Sequence, residues 1–191
     1  MTTKGAMIVV SAPSGAGKTT LIKRVAPKFP EAAFSVSHTT RLPREGERDG
    51  VDYRFVSHNR FEEMIRLGEF VEWEEVHGAF YGTARREVER LRDAGKTVVF
   101  DVDVKGAGSI KAAYPEARSV FVAPPSEETL RKRLTLRGSD DPEAIERRLA
   151  AANEELSAQA KFDFVVVNDD LDRAADEMEK IFKTILTENE L

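Results

Sequence analysis

Ser11-Ala12-Pro13-Ser14-Gly15-Ala16-Gly17-Lys18-Thr19-Thr20 is the stretch on which the reading of this chain turns. The apolar run Met7-Ile8-Val9-Val10 enters it, and a helical pattern from Thr20 to Val25 leaves it. A glycine-bearing loop between a strand and a helix can turn several N–H groups toward one anion, and the helix start adds its positive dipole end. Lys18 is then placed to reach outer phosphates, and the Thr19 hydroxyl to hold Mg²⁺. The spacing departs from G-x-x-x-x-G-K-[ST] at one position, where Ala12 replaces the first glycine. The segment Ala12–Thr20 is thus a candidate phosphate-binding loop, and the competing reading is a plain glycine-rich turn.

Three further apolar runs, Thr97–Phe100, Ser119–Val122 and Phe164–Val167, read as buried strands beside helical patterns. Strands alternating with helices predict an α/β fold with a parallel sheet flanked by helices. In such sheets ligands sit beyond the carboxyl ends of the strands. Those ends carry the loop, Asp101-Val102-Asp103, Ala123-Pro124-Pro125 and Asn168-Asp169-Asp170. The segment from about Phe34 to Val76 breaks the rhythm with short alternating runs, and reads as a small β-rich insertion with one helix near His58–Leu67. Helices are also expected from after Thr83 to near Ala94, after the cap Ser126, after the pair Asp141-Pro142, and from Asp172 to about Leu186. Alternation places Glu72 on the same strand face as Phe70.

At 191 residues, 41% hydrophobic and 33% charged, the chain suits one globular domain. A net charge of −5 disfavours nonspecific nucleic-acid binding, and the lack of cysteine excludes disulfides and thiolate metal sites. No apolar run approaches membrane-spanning length, and the N-terminus leads straight into the first strand, so neither a membrane anchor nor a signal peptide is expected. A cytoplasmic location fits these features.

Asp101 closes a buried strand beside the loop strand, where a carboxylate commonly partners Mg²⁺. In Ser35-Val36-Ser37-His38-Thr39-Thr40-Arg41-Leu42-Pro43-Arg44, two arginines flank a proline, and paired guanidinium groups suit a phosphate dianion. Two arginines alone would equally describe a solvated basic loop. Tyr53 and Tyr81, in similar glycine-bearing contexts, add phenol donors.

These motifs, with Asp49-Gly50-Val51-Asp52-Tyr53, Phe70-Val71-Glu72-Trp73, Tyr81-Gly82-Thr83, Arg133-Leu134, Arg137-Gly138, Arg148-Leu149 and Val167-Asn168-Asp169-Asp170, span nearly the whole chain. In this order they closely resemble the guanylate kinase family. The resemblance implies a single domain over residues 1–191: a P-loop NTPase-type core (5–35, 95–132 and 156–191), a GMP-binding insertion (36–94) and a helical lid (133–155). It implies ATP as donor with Mg²⁺, GMP or dGMP as acceptor, and direct in-line transfer. Arg41, Arg44, Tyr53 and Tyr81 would hold the acceptor phosphate. Ser37, Glu72, Thr83 and Asp103 would read the base, and the single tryptophan, Trp73, would report on it by emission. Lys18, Arg44, Arg137 and Arg148 would serve the transfer itself. Arg133 would support the ATP side, Asn168 would lie near adenine, and Thr19 and Asp101 would hold the metal. Lys105 stands where glutamine is common.

The residues agree independently on one point. Guanine presents N1–H and N2–H₂ donors on one edge; a carboxylate accepts both, whereas adenine offers an acceptor at N1. Two other readings stay open at this stage: a sugar-phosphate kinase of the same fold, and a non-catalytic protein-binding module of the same family. The presence of Ser37, Glu72, Tyr81 and Thr83 speaks against the first, and of Lys18, Thr19 and Asp101 against the second.

Overall fold

A computed structural model describes residues 4–76, 78–136 and 142–190. From the N-terminus, β1 (Met7–Ser11) leads through the loop into α1 (Lys18–Val25), and β2 (Ala32–Phe34) follows. A second unit comprises β3 (His38–Thr39), β4 (Arg54–Phe55), α2 (His58–Arg66), β5 (Phe70–Val76) and β6 (Ala79–Ala84). The chain returns through α3 (Arg85–Asp93) to β7 (Thr97–Asp101), α4 (Val104–Ala113), β8 (Arg118–Ala123), α5 (Glu127–Leu136), α6 (Pro142–Ser157), β9 (Phe164–Val167) and α7 (Leu171–Glu190).

The main sheet has the order β2-β7-β1-β8-β9, and every pairing in it is parallel. β1 is its centre: Val9 faces Phe100 of β7 on one side and Ser119 of β8 on the other. A strand buried on both faces reads as an unbroken apolar run, as Met7–Val10 does. Its alternate residues feed two cores. Ile8 and Val10 pack with Leu21 and Val25 of α1 and with Met178, Phe182 and Ile185 of α7. Met7 and Val9 pack with Val88 and Leu91 of α3 and Ile110 of α4. The four expected strands are present, each matched or extended by one or two residues. β2 was not anticipated; it is a three-residue edge strand whose Ala32-Ala33-Phe34 carries too little periodicity to stand out.

The four-stranded second sheet has the order β4-β3-β6-β5, with α2 against one face. Ser57 caps α2 by accepting from Arg60 N, and Gly68, at φ 67°, ends it. The alternation expected along β5 fails. A bulge between Phe70 and Glu72 shifts the register against β6, and an extra residue in one strand reverses which face the following side chains take. Phe70 stacks on Phe61 of α2 at 4.4 Å, and Trp73 meets Phe80 on that same side at 5.8 Å. Glu72 therefore lies on the opposite face from Phe70, toward the main sheet. Apolar packing under α2 claims Phe70 and leaves the carboxylate to the cleft.

α5 is capped by Ser126, whose hydroxyl accepts from Thr129 N, and packs on α6 through Leu130, Leu134, Leu149 and Ala152. α6 starts at Pro142, as expected of an N1 proline; Asp141 lies outside the described residues.

Candidate active site

The loop after β1 is shaped by its glycines. Gly15 and Gly17 hold φ of 90° and 91°, values that a side chain would oppose. A Cβ on Gly17 would stand 2.4 Å from Asn168 Nδ2, and one on Gly15 would press on Leu130 and Leu134 at 3.0 Å. Ala16 N donates to Pro13 O at 3.1 Å, which closes the turn, and Gly17 is the N-cap residue from which α1 starts. Ala12 and Ala16 are buried in the core below, so methyl groups suit both positions. Thr20 continues α1 and is exposed.

Two residues brace the loop from behind. Arg133 of α5 donates to Ala16 O and Asn168 O at 3.1 and 2.8 Å. Asn168, 5% exposed, donates from its side-chain amide to Ala16 O at 2.8 Å. Both sit at the loop, and the amide nitrogen of Asn168 is engaged in holding it. In front, Arg148 of α6 donates to Ser14 Oγ at 2.7 Å. Glu155, half-buried on the same helix, faces the Ser14 N–H; burial pushes its carboxyl above the usual range. Arg137 lies outside the described residues.

Lys18, Thr19 and Ser14 form one wall of a cleft of about 890 Å³ between the two sheets. Ser37, Arg44, Tyr53, Glu72, Tyr81, Asp101 and Asp103 line the rest. Lys18 Nζ is 2.7 Å from Asp101 Oδ1 and donates to Val102 O at 2.5 Å. Asp101 and Thr19, both at the cleft, are hard oxygen donors suited to Mg²⁺. Among the described residues no group of three or more His, Asp or Glu could hold a metal by itself.

At the far end, Glu72 is only 9% exposed. Burial pushes its carboxyl pKa up, and the neighbouring Asp103 charge adds to this. Thr83 opposes Glu72 across the β5–β6 ladder, and its hydroxyl and N–H lie near that carboxylate and favour its charged form against the burial. Asp103 Oδ1 accepts from Gly106 N at 2.7 Å and caps α4. Midway, Tyr53 and Tyr81 meet edge to face at 6.0 Å, and the Arg41 guanidinium lies 5.3 Å from the Tyr53 ring. Burial raises the Tyr53 hydroxyl's pKa, so the phenol keeps its proton to donate.

Three carboxylates went unread in the sequence. Glu47 accepts both Arg41 guanidinium nitrogens at 2.9 and 2.8 Å and Arg44 N at 2.7 Å, so it ties the arginine loop together. Arg-x-x-Glu in a glycine-bearing loop was its only local signal. Glu74 lines the cleft and Glu155 approaches the loop through tertiary packing, for which spacing offers no cue. Trp73 was expected beside the acceptor, but it is 46% exposed and packs on the α2 side. The bulge that admits Glu72 to the cleft turns its neighbour away.

A glycine-shaped loop with Lys-Thr at the end of a central parallel strand, facing an aspartate one strand over, defines a P-loop nucleotide-binding protein. A shikimate kinase from Bacteroides thetaiotaomicron, at 15% identity and a TM-score of 0.50, is alike in fold alone. The family model for guanylate kinase matches residues 4–185, and the chain belongs to that family. The guanylate kinase of Thiobacillus denitrificans is 47% identical over 184 residues, covering 96% of this chain and 88% of that protein. That of Nitratidesulfovibrio vulgaris is 51% identical over 174 residues, covering 91% and 84%. The crystal structure of guanylate kinase from Anaplasma phagocytophilum aligns with a TM-score of 0.75 at 32% identity, over 96% of this chain and 87% of that one.

Proposed function

We propose that this chain phosphorylates GMP with ATP, giving GDP and ADP, in the cleft between its two sheets. The observation that carries the reading is that one cleft is lined at one end by Lys18 and Thr19 and at the other by the buried carboxylate of Glu72. A donor phosphate at the first and a guanine at the second would point their reacting groups at each other.

In this reading the GMP phosphate oxygen attacks the γ-phosphorus of ATP as the bond to the ADP oxygen breaks, with no phosphoenzyme. Transfer of this kind asks the protein for alignment and for positive charge where phosphoryl oxygens spread negative charge. The N–H groups of Ser14–Thr19 and the Lys18 ammonium would hold the donor phosphates. Arg41, Arg44, Tyr53 and Tyr81 would hold the acceptor phosphate. Arg41 is already ordered by Glu47, so little side-chain freedom is lost when the phosphate arrives. Mg²⁺, held by Thr19 and Asp101, would neutralise phosphate charge. Arg148, reaching Ser14 from α6, would bring its charge to the transferring group, and Arg137 would join it. Arg133 and Asn168 would keep the loop in shape on the ATP side.

Glu72 would accept from N1–H and N2–H₂ of guanine, with Ser37, Thr83 and Asp103 around it. Adenine would set an acceptor against a buried carboxylate, which costs far more than a lost contact. We assign residues 36–94 to acceptor binding and 133–155 to a lid. dGMP has the same base and phosphate and fits the same contacts. Among the described residues no helix is long and apolar enough to cross a membrane; a cytoplasmic location, where both nucleotides are found, suits the reaction.

Turnover with ATP and Mg²⁺ against GMP, AMP, dTMP and no acceptor tests the reading. ADP should form in step with GDP and only with a guanine acceptor. ADP formation indifferent to GMP would overturn it.

A further inference from the structure

Glu74 follows Glu72 by two residues on the cleft face of β5, with Tyr81 as its cross-strand neighbour. Its two oxygens have different surroundings. Oε1 accepts from Lys105 Nζ, in the first turn of α4, at 2.8 Å. Oε2 is buried and has no hydrogen-bond partner in the protein. The Asp103 carboxyl comes within hydrogen-bond reach of Glu74 and pushes its carboxyl up, while the Lys105 ammonium works the other way. Glu72 and Asp103 in turn converge on Gly106: a Cβ there would lie 3.3 Å from Glu72 Oε2 and 3.2 Å from Asp103 Oδ1. Three carboxylates are thus gathered in one wall of a cleft meant for an anionic nucleotide, with Glu155 beyond them toward the loop. Lys18 is committed to Asp101, and Arg41 to Glu47. Lys105 is the cation paired with Glu74, and its charge also acts on Asp103.

We propose that Lys105 and Glu74 form a positioning pair for the acceptor: the ammonium cancels the charge of Glu74 and fixes its side chain, so that Asp103 and Glu72 keep the placement that guanine needs. The inference rests on the reading that GMP occupies this cleft. Without the ammonium, Glu74 and Asp103 repel across a short gap, and the easiest relief is rotation of either one out of place. A cleft with one more uncompensated negative charge also repels the acceptor phosphate. Removing Glu74 as well removes the cause of both effects. Acceptor binding therefore depends on the pair being balanced, rather than on Lys105 touching the nucleotide.

The test is steady-state kinetics on Lys105→Gln, Lys105→Arg, Glu74→Gln and the double variant Glu74→Gln/Lys105→Gln, with GMP varied at saturating ATP and the reverse. Lys105 is 83% exposed, so its variants should fold. Lys105→Gln should raise the GMP KM by about fivefold, the scale of an exposed ion pair, while kcat and the ATP KM stay within about twofold. Lys105→Arg, which keeps the charge, should stay near wild type. The double variant should return to within about threefold of the wild-type GMP KM, a coupling that independent sites do not show. A wild-type KM in Lys105→Gln, or a double variant no better than that single one, would overturn the proposal. Glu72→Gln in the same assay separates this from failure of the acceptor reading: if it too leaves GMP use intact, guanine is not read in this cleft at all.

Discussion

The ammonium of Lys18 is held against Asp101 Oδ1 at 2.7 Å and against the main-chain oxygen of Val102. The loop after β1 and the end of β7 are thereby joined across the top of the sheet. The pair is half-buried, so its stabilisation is modest, of the order of 1 kcal/mol or less. In the proposed reaction the same ammonium would pass to a phosphate. Lys18→Ala should lower kcat by on the order of a hundredfold or more, the scale of losing one electrostatic stabiliser. Its Tm should fall by no more than about 2–4 °C. Turnover by this variant at the wild-type rate under saturating ATP would remove Lys18 from the donor site.

Glu72 is held at a cost to the fold. Burial raises its carboxyl pKa above the ordinary value of 4.5. The folded state thus binds the proton more tightly than the unfolded state does. Stability from this group is greatest below the unfolded pKa and falls as pH rises toward the raised, folded value. At neutral pH the charge opposes folding, so Glu72→Gln should raise the Tm of the ligand-free protein by a few degrees at pH 7. The gain should shrink as pH is lowered through the carboxylate range. The same variant should lose GMP turnover. A lower Tm at pH 7 would mean that Glu72 is a structural strut instead.

The two arginine groups should separate kinetically. Arg148 reaches Ser14 on the donor loop, whereas Arg44 lines the cleft on the acceptor loop. Interactions made mainly in the transition state raise kcat rather than affinity. Arg148→Met should lower kcat by on the order of a hundredfold and leave the GMP Kd, measured without ATP, nearly unchanged. Arg44→Met should raise that Kd as well. Equal rises in Kd with kcat intact for both would erase the distinction between lid and clamp.

Glu47 touches Arg41 through both guanidinium nitrogens and Arg44 through its main-chain N–H. It orders the loop from the edge of the cleft, and as a carboxylate it repels an anion rather than binding it. Glu47→Ala should raise the GMP KM by about tenfold, the effect of lost preorganisation, with kcat changed by less than about threefold. An unchanged KM would show that the arginines order themselves on the ligand.

Much of this was legible in the sequence because its causes are local. Gly15 and Gly17 permit the left-handed turns of the loop, and Lys18-Thr19 sit at a helix start. Unbroken apolar runs mark strands buried on both faces, as in β1, β7 and β8, while the edge strand β9 keeps its run though only Val166 is fully buried. Ser126 is a helix cap with a short-range partner and was read as one, whereas the caps Ser57 and Asp103, and with Asp103 the helix α4, went unread. What could not be read depends on tertiary packing. β2 is too short to show a period. The bulge after Phe70 accompanies the stacking of Phe70 on Phe61, a tertiary contact that spacing cannot foresee, and it leaves Trp73 on the α2 side. Lys105 drew notice as a departure from the family, but its partner Glu74 is 31 residues away.

The central claim is that Glu72 reads the donor edge of guanine, and one ratio tests it most directly. IMP differs from GMP only in lacking the 2-amino group. Wild-type enzyme should prefer GMP over IMP in kcat/KM by on the order of a hundredfold, because IMP leaves a buried carboxylate oxygen without a donor. Glu72→Gln opposes the N2 amine with an amide that no longer accepts twice, so the ratio should collapse to a few-fold. If Glu72→Gln instead lowers GMP and IMP use equally and the ratio stands, the base is read elsewhere and the account is wrong.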